Sequence, residues 1–365
     1  MLLLAVFAGI GSRAEARAAA PRPWYESIAV NGFVSSSYSY NFNRPPGRLN
    51  GFRVFDFDDN TFKVDVAELV LQKATLKPGD AGFRVDVAAG GSIPRVSAAA
   101  GLFRDAGGTA QDIDLQQAYV TYVANAGHGL KLDFGKFVTH FGYEVIDGYD
   151  GWNDNATRSI LFGFAIPFTH TGVKASYPFS DRATGTLMVV NGWDDATDRN
   201  SQKSVGAQLS LTPSPAWTVI LNGMVGAERA DNSGDVRGLL DLVAMWKPPG
   251  RVALGLNADH GTEENAVVPG ETARWDGVAA YARVGISEKF SLTGRAERFG
   301  DWNGARTGVS QRLTEVTLTP EFRPASGLVI RGDLRFDHSD QVVFDARGGP
   351  KQDQTTAIAS VLFAF

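Results

Sequence analysis

The chain has 365 residues, a formal net charge of −5 and 44% hydrophobic residues. It contains no cysteine, which excludes a disulfide scaffold and a thiolate metal site. No stretch approaches the roughly 18 uncharged apolar residues that a membrane-spanning helix requires.

The N-terminal residues have the pattern of an export signal. Residues 2–10 form an apolar run, and Ala14-Glu15-Ala16 and Ala16-Arg17-Ala18 follow as candidate cleavage sites. The run lacks the basic residues that usually precede it, which indicates an incomplete signal. We expect residues 1–20 to be a signal peptide, residues 21–27 a periplasmic segment and residues 28–365 a single folded domain.

Short segments in which apolar and polar residues alternate fill the rest of the chain. Alternation with a period of two is typical of β-strands that face two different environments. We predict sixteen strands, at residues 28–40, 62–76, 82–93, 112–124, 129–138, 168–177, 184–192, 203–212, 216–227, 236–247, 251–260, 274–286, 289–299, 311–323, 327–338 and 355–365.

The linkers between these strands alternate between short and long. Residues 77–80, 213–215 and 247–250 are tight turns, whereas the longest linkers are 41–61 and 139–167. A barrel that spans the bacterial outer membrane has short turns at its periplasmic rim and long loops outside. We therefore predict an all-β, transmembrane antiparallel β-barrel of about sixteen strands, or of 14 or 18 if a linker is misassigned.

Charged side chains share one face of several predicted strands, opposite an apolar face. In 327–338, for example, Leu328, Ile330 and Leu334 lie opposite Arg331 and Asp333. A barrel of this size admits water, so we expect solvated charges and a substitution such as Asp333→Arg to leave the fold intact. The predicted lumen-facing charges are Arg84, Asp86, Lys131, Asp133, Arg295, Glu297, Arg331, Asp333, Arg335 and Asp337.

The last predicted strand ends the sequence with aromatic residues. Val361, Phe363 and Phe365 fall on one face of it. A terminal strand that ends in an aromatic residue resembles the assembly signal of outer-membrane barrels. We therefore expect Phe363 and Phe365 to be read by the barrel assembly machinery.

Several motifs resemble the OmpL-like β-barrel porin family. They are Gly142-Tyr143-Glu144, Arg158-Ser159 before an aromatic residue, and Pro167-Phe168-Thr169-His170-Thr171-Gly172, together with residues 53–62 and 67–69. The resemblance implies an outer-membrane channel in contact with membrane lipid and lipopolysaccharide, which passes small hydrophilic solutes. It implies no particular solute and leaves the oligomeric state open.

The third long linker, 139–167, is our candidate for a pore constriction. In trimeric porins of sixteen strands the third outer loop narrows the pore, and this analogy singles out Glu144, Asp147, Asp150, Asp154 and Arg158. The eight long linkers carry a summed formal charge of about −10, which predicts a weak preference for cations and argues against nucleic acid as a partner. A solvated surface loop is the alternative interpretation.

The sequence supports an enzyme or a metal-binding protein less well than a porin. There is no Gly-x-Ser-x-Gly or His-Glu-x-x-His motif, and we interpret His140 and His170 as packing residues rather than catalytic groups or metal ligands. We expect no cofactor, although the acidic linkers around residues 56–60 and 147–154 have the oxygen ligands that Ca²⁺ prefers. Two alternatives to a porin stay open: a structural or adhesion barrel that does not conduct, and a barrel enzyme.

Overall fold

The computed structural model describes residues 24–93, 95–96, 102–103 and 111–365. The predicted signal peptide, residues 1–20, lies outside these residues, as does the start of the predicted periplasmic segment. Residues Trp24–Ser27 form a 3-10 helix. No helix in the described ranges is long and apolar enough to cross a membrane.

Sixteen antiparallel strands form a closed barrel in which every strand pairs with its neighbours in the chain and β1 pairs with β16. The predicted all-β barrel and its strand number are thus confirmed, with bounds that differ from the predicted ones by a few residues. The strands are β1 Ala29–Asn41, β2 Thr61–Lys73, β3 Ala81–Ala89, β4 Ile113–Ala124, β5 Leu130–Val138, β6 Thr169–Ser180, β7 Ala183–Val190, β8 Ser204–Ser214, β9 Trp217–Ala227, β10 Val236–Trp246, β11 Val252–Glu264, β12 Thr272–Gly285, β13 Phe290–Asp301, β14 Gln311–Ala325, β15 Leu328–Ser339 and β16 Asp353–Ala364. A short helix, α1 Ile160–Phe164, lies between β5 and β6.

The two rims of the barrel differ in the length of their linkers, as the sequence predicts. One rim has turns as short as residues 326–327, where Gly327 has a φ of +75°. The other rim has long loops, of which the first outer loop (42–60) and the third outer loop (139–168) concern the functional site. The long-loop rim faces outward from the cell and the short-turn rim faces the periplasm.

The two faces of the wall differ in chemistry. Apolar side chains such as Phe134, Leu240 and Leu334 point outward, with 68%, 65% and 56% of their surface exposed. The inner face has polar side chains, but part of the interior is apolar: a buried cluster joins residues of the third outer loop, such as Leu161 and Phe162, to wall residues such as Trp275. The lumen is therefore partly filled by packed protein.

The seam between the first and last strands includes the C-terminal residue. The amide of Gly32 donates to the carbonyl of Phe365 (2.9 Å), and the Phe365 amide donates back to Gly32 (3.0 Å). A Cβ at Gly32 would lie 2.3 Å from the Phe365 ring, so a larger residue there would displace the ring. Phe363 and Phe365 are exposed on the outside, and their reading as an assembly signal stays a prediction.

Candidate functional site

The third outer loop turns into the barrel directly after β5. The amide of Gly142 donates to Asp241 on β10 (3.1 Å), and the amide of Tyr143 donates to Asn257 on β11 (3.0 Å). The Tyr143 ring stacks on Tyr281 of β12, with ring centroids 4.0 Å apart. The first arm of the loop thus crosses the lumen to a wall five to seven strands away.

The tip of the loop reaches yet another sector of the wall. The amide of Tyr149 donates to Glu68 on β2 (3.1 Å), and Asp150 pairs with Arg84 on β3 (2.6 Å). Trp152 packs against an apolar group on the seam that includes Phe33. The loop therefore spans the interior from one side to the other.

The return arm is held by carboxylates of the wall. Asp333 on β15 accepts the amides of Ala156 (3.1 Å) and Thr157 (2.7 Å). Glu297 on β13 accepts the first two amides of α1, those of Ile160 (2.6 Å) and Leu161 (2.9 Å). These are amides that a helix start leaves without a partner inside the helix, so the wall completes the hydrogen bonding of the loop.

All five charged candidates of the third outer loop lie inside the barrel and form ion pairs. Burial opposes the charge on Asp147, but Arg158 and Arg331, each 3.0 Å away, hold the pKa of that carboxyl below its ordinary value. Glu144 pairs with Arg295 (2.8 Å), and Asp154 pairs with Arg283. Arginines of the wall and of the loop itself thus compensate these acids locally, and the weak preference for cations stays a prediction.

The predicted lumen-facing charges all lie on the inner face, but most of them are buried rather than solvated. The filled lumen is the physical reason, because a charge without water needs a protein partner. The same strand, another strand or the loop supplies those partners. The pairs on the wall are Arg84–Asp86 (2.9 Å), Lys131–Asp133 (3.4 Å), Arg295–Glu315 (2.9 Å), Arg335–Asp337 (2.8 Å) and Arg335–Glu297 (3.9 Å); Arg331 and Asp333 bind the loop as described above.

The first outer loop is a second inward element, which the sequence reasoning missed. Its Arg53 is buried and donates to Asp337 of β15 at 2.7 and 3.1 Å. Its Phe52 contacts Phe164 of α1, with ring centroids 6.3 Å apart, and its Phe55 lies 6.0 Å from Phe162. The available signal was the run Arg53-Val54-Phe55-Asp56, whose apolar residues are unusual for a solvated loop.

The third outer loop borders two cavities that are formed by described residues. A narrow cavity of about 60 Å³ lies between this loop and the wall formed by β1, β2, β4, β15 and β16. Ser35, Ser37, Gln116 and Ser360 line it from the wall, and Arg158 lines it from the loop. A larger cavity of about 640 Å³ lies under the loop near the periplasmic turns between β10 and β13.

The two histidines near the third outer loop are packing residues in this fold. His140 stacks on Phe141, with ring centroids 4.8 Å apart, and burial lowers its pKa to about 3, which leaves the ring neutral. His170 contacts the hydroxyl of Thr139 and the carbonyl of Gly192. Within the described part of the chain, no group of three or more His, Asp or Glu side chains is placed to hold a metal ion.

A closed sixteen-stranded barrel with an apolar outer face, long loops on one rim and a third loop folded inward is the architecture of outer-membrane porins. Solved structures with this fold include the anion-selective porin from Comamonas acidovorans (12% identity, TM-score 0.62, 93% of this chain and 99% of that chain). The channel DcaP of Acinetobacter baumannii is similar as well (11% identity, TM-score 0.60, 93% and 97%). OprB of Pseudomonas putida is a third (11% identity, TM-score 0.59, 93% and 95%).

The chain belongs to the family described as putative beta-barrel porin-2, OmpL-like, whose model matches residues 27–365. No curated protein sequence matches the chain significantly. The predicted family, outer-membrane location and function as a porin for solute diffusion are thus confirmed.

Proposed function

We propose that this porin is a narrow one, in which solutes pass through the cavity beside the third outer loop. The observation that carries the proposal is the asymmetry of the lumen around that loop. At the outer ends of β12 and β13 the space is filled by the apolar cluster around Trp275 and Phe162, whereas toward β1 and β4 a cavity remains, lined by apolar side chains such as Ile146 and by hydroxyl and amide groups. The hydroxyl and amide groups can replace part of the water that a small hydrophilic solute gives up on entering.

The charges beside this path have both signs. The cavity is lined by four acids, Asp56, Asp65, Asp114 and Asp147, and by Arg158 and Arg331. Two further cations outside the lining compensate two of the acids: Arg53 pairs with Asp56 (3.1 Å) and Lys63 pairs with Asp65 (3.7 Å). Arg331 and Arg158 are paired with Asp147, and Asp114 is paired with Lys136 (3.0 Å). Balanced charge favours neutral polar solutes and small ions over highly charged ones.

Two neighbouring serines of β1 test the path. Ser37 lies opposite Ser360 in the cavity, whereas Ser36 lies opposite the lipid-facing Val361. Ser37→Trp should remove most of the single-channel conductance in a planar bilayer, and the matched variant Ser36→Trp should leave it unchanged. Full conductance in Ser37→Trp would place the path elsewhere, and no conductance in the unmodified protein would favour the structural barrel instead.

Passive diffusion requires neither a cofactor nor a reaction, and the function proposed here includes neither. The partners we propose follow from the location: lipopolysaccharide of the outer leaflet around the outer rim, and the barrel assembly machinery acting on the strand that ends in Phe365. The exposed apolar band that includes Leu334 and Phe336 supports contact with hydrocarbon chains.

A further inference from the structure

The cavity of about 640 Å³ at the short-turn rim is rich in cationic side chains. Tyr143 and Asp154 of the third outer loop line it, together with residues from β10 to β14 and their turns. Its positive charges outnumber its negative ones by four to two, the former being Lys247, Arg251, Arg283 and Arg323 and the latter Asp154 and Glu288.

Much of this charge comes from one turn, residues 247–251. Lys247 and Arg251 flank Pro248-Pro249-Gly250, and each of the other six short turns of the barrel has no net formal charge. The two prolines restrict the backbone, so the turn presents its cations with little loss of conformational entropy. The positive charge is therefore concentrated at one place on the rim.

The two cations of this turn have no carboxylate partner. Among the described residues the ammonium group of Lys247 has no hydrogen-bond or ion-pair partner, and Arg251 donates to the carbonyl of Ile286 (2.9 Å). Both side chains are exposed at the rim. They can thus approach an anion without first giving up an ion pair.

Deeper in the cavity, Arg283 binds two carboxylates and a hydroxyl of the protein. Their oxygen atoms resemble those that an anionic ligand would present to Arg283. One terminal nitrogen of Arg283 contacts Asp154 of the third outer loop, and the other donates to Glu321 (2.8 Å) and Ser291 (2.9 Å). Glu321 also accepts from Arg323 (2.8 Å). One carboxylate of β14 thus serves two guanidinium groups, and the second acid comes from a loop.

We infer that this cavity is a binding site for small anions that carry a phosphate group or several carboxylates. Lys247 and Arg251 attract the anion from the periplasmic side, and Arg283 and Arg323 have the planar donor geometry that fits phosphate and carboxylate oxygens. Asp154 occupies the position on Arg283 that the anion takes, so binding competes with a contact of the third outer loop. The inference goes beyond the proposed function and does not rest on it, because binding at this cavity does not require that the anion pass the barrel.

The test measures binding separately from conduction. Isothermal titration of the detergent-solubilised barrel with inorganic pyrophosphate at low salt should give a measurable affinity that falls as the salt concentration rises. The double variant Lys247→Ser with Arg251→Ser should bind about tenfold more weakly, because it loses two attractions to a multivalent anion. Asp154→Asn should bind more tightly than the unmodified protein, because the competing carboxylate is gone.

The matched control removes the same charge from distant turns of the same rim. Lys77→Ser with Arg182→Ser changes the turns after β2 and β6 and should leave the affinity unchanged. No binding by the unmodified protein, or an equal loss in both double variants, would overturn the inference. Binding in a barrel that shows no bilayer conductance would support this site while refuting the proposed function.

Discussion

Replacing Asp333 by alanine should release the return arm of the third outer loop from the barrel wall. The Asp333 carboxylate is buried and accepts four hydrogen bonds, from the amides of Ala156 (3.1 Å) and Thr157 (2.7 Å) and from the hydroxyls of Thr157 (2.8 Å) and Thr319 (2.7 Å). The two hydroxyls can rotate toward other acceptors, but the two amides are fixed by the backbone. Each amide left buried without a partner costs about 1–3 kcal/mol, so the docked loop should lose roughly 4 kcal/mol.

Hydrogen–deuterium exchange of the folded barrel measures this loss directly. If exchange follows undocking of the loop, about 4 kcal/mol corresponds to amides of residues 144–161 that exchange on the order of a thousandfold faster. Leu334→Ala is the control, because Leu334 is the next residue on β15 and points outward with 56% of its surface exposed. Unchanged exchange in Asp333→Ala would refute the reasoning that this carboxylate anchors the loop.

The same four hydrogen bonds change the expectation for Asp333→Arg. The sequence indicates a solvated lumen position where a charge reversal is tolerated. In the folded barrel the substitution would place a cation against two amides, on the same face of β15 as Arg331 and Arg335. We therefore expect Asp333→Arg to be at least as damaging as Asp333→Ala in the same exchange measurement.

Three further predictions concern the seam, the lipid face and pH. Phe365→Asp should lower the yield of heat-modifiable barrel in the outer membrane, because it replaces the ring that covers Gly32; a yield equal to that of the unmodified protein would contradict the assembly signal. Leu334→Arg should cost ~2–4 kcal/mol of folding free energy, because Leu334 lies in the middle of β15 and points outward, as measured by urea titration in vesicles, and no loss would contradict the outward assignment. Burial raises the pKa of Asp194, in an outer loop, to about 6, against the hydrogen bonds from Phe168 and Thr169. Since the folded state then binds this proton more tightly, stability should fall as pH rises from about 4 to about 6, and Asp194→Asn should flatten that part of the curve of melting temperature against pH; an unchanged slope would show that Asp194 does not titrate there.

The architecture could be predicted because it depends on two local patterns of the sequence, the alternation of apolar and polar residues and the length of the linkers. Alternation along β15 separates Ile330 and Leu334 from Arg331 and Asp333 whatever the rest of the chain does, and linker length separates the two rims. Strand ends were less certain: β14 continues to Ala325 rather than residue 323, since the alternation fades at a turn that contains proline.

The contents of the barrel were not predictable in the same way. Glu144 and Arg295, or Arg53 and Asp337, lie 151 and 284 residues apart in the sequence, and no periodic pattern connects them. The acids of the third outer loop could be named from composition, but their net effect depends on which arginines face them in space. Counting charges along the loops therefore could not identify the arginines that pair with these acids in the folded barrel.

The position of the first outer loop over α1 has a consequence for biogenesis. Phe52 and Phe55 rest on rings that belong to the third outer loop, and Arg53 bonds to side chains on β15 and β16. The first outer loop therefore cannot dock until β15, β16 and the third outer loop are in place. A substitution in the last two strands can thus release a loop that is encoded near the other end of the chain.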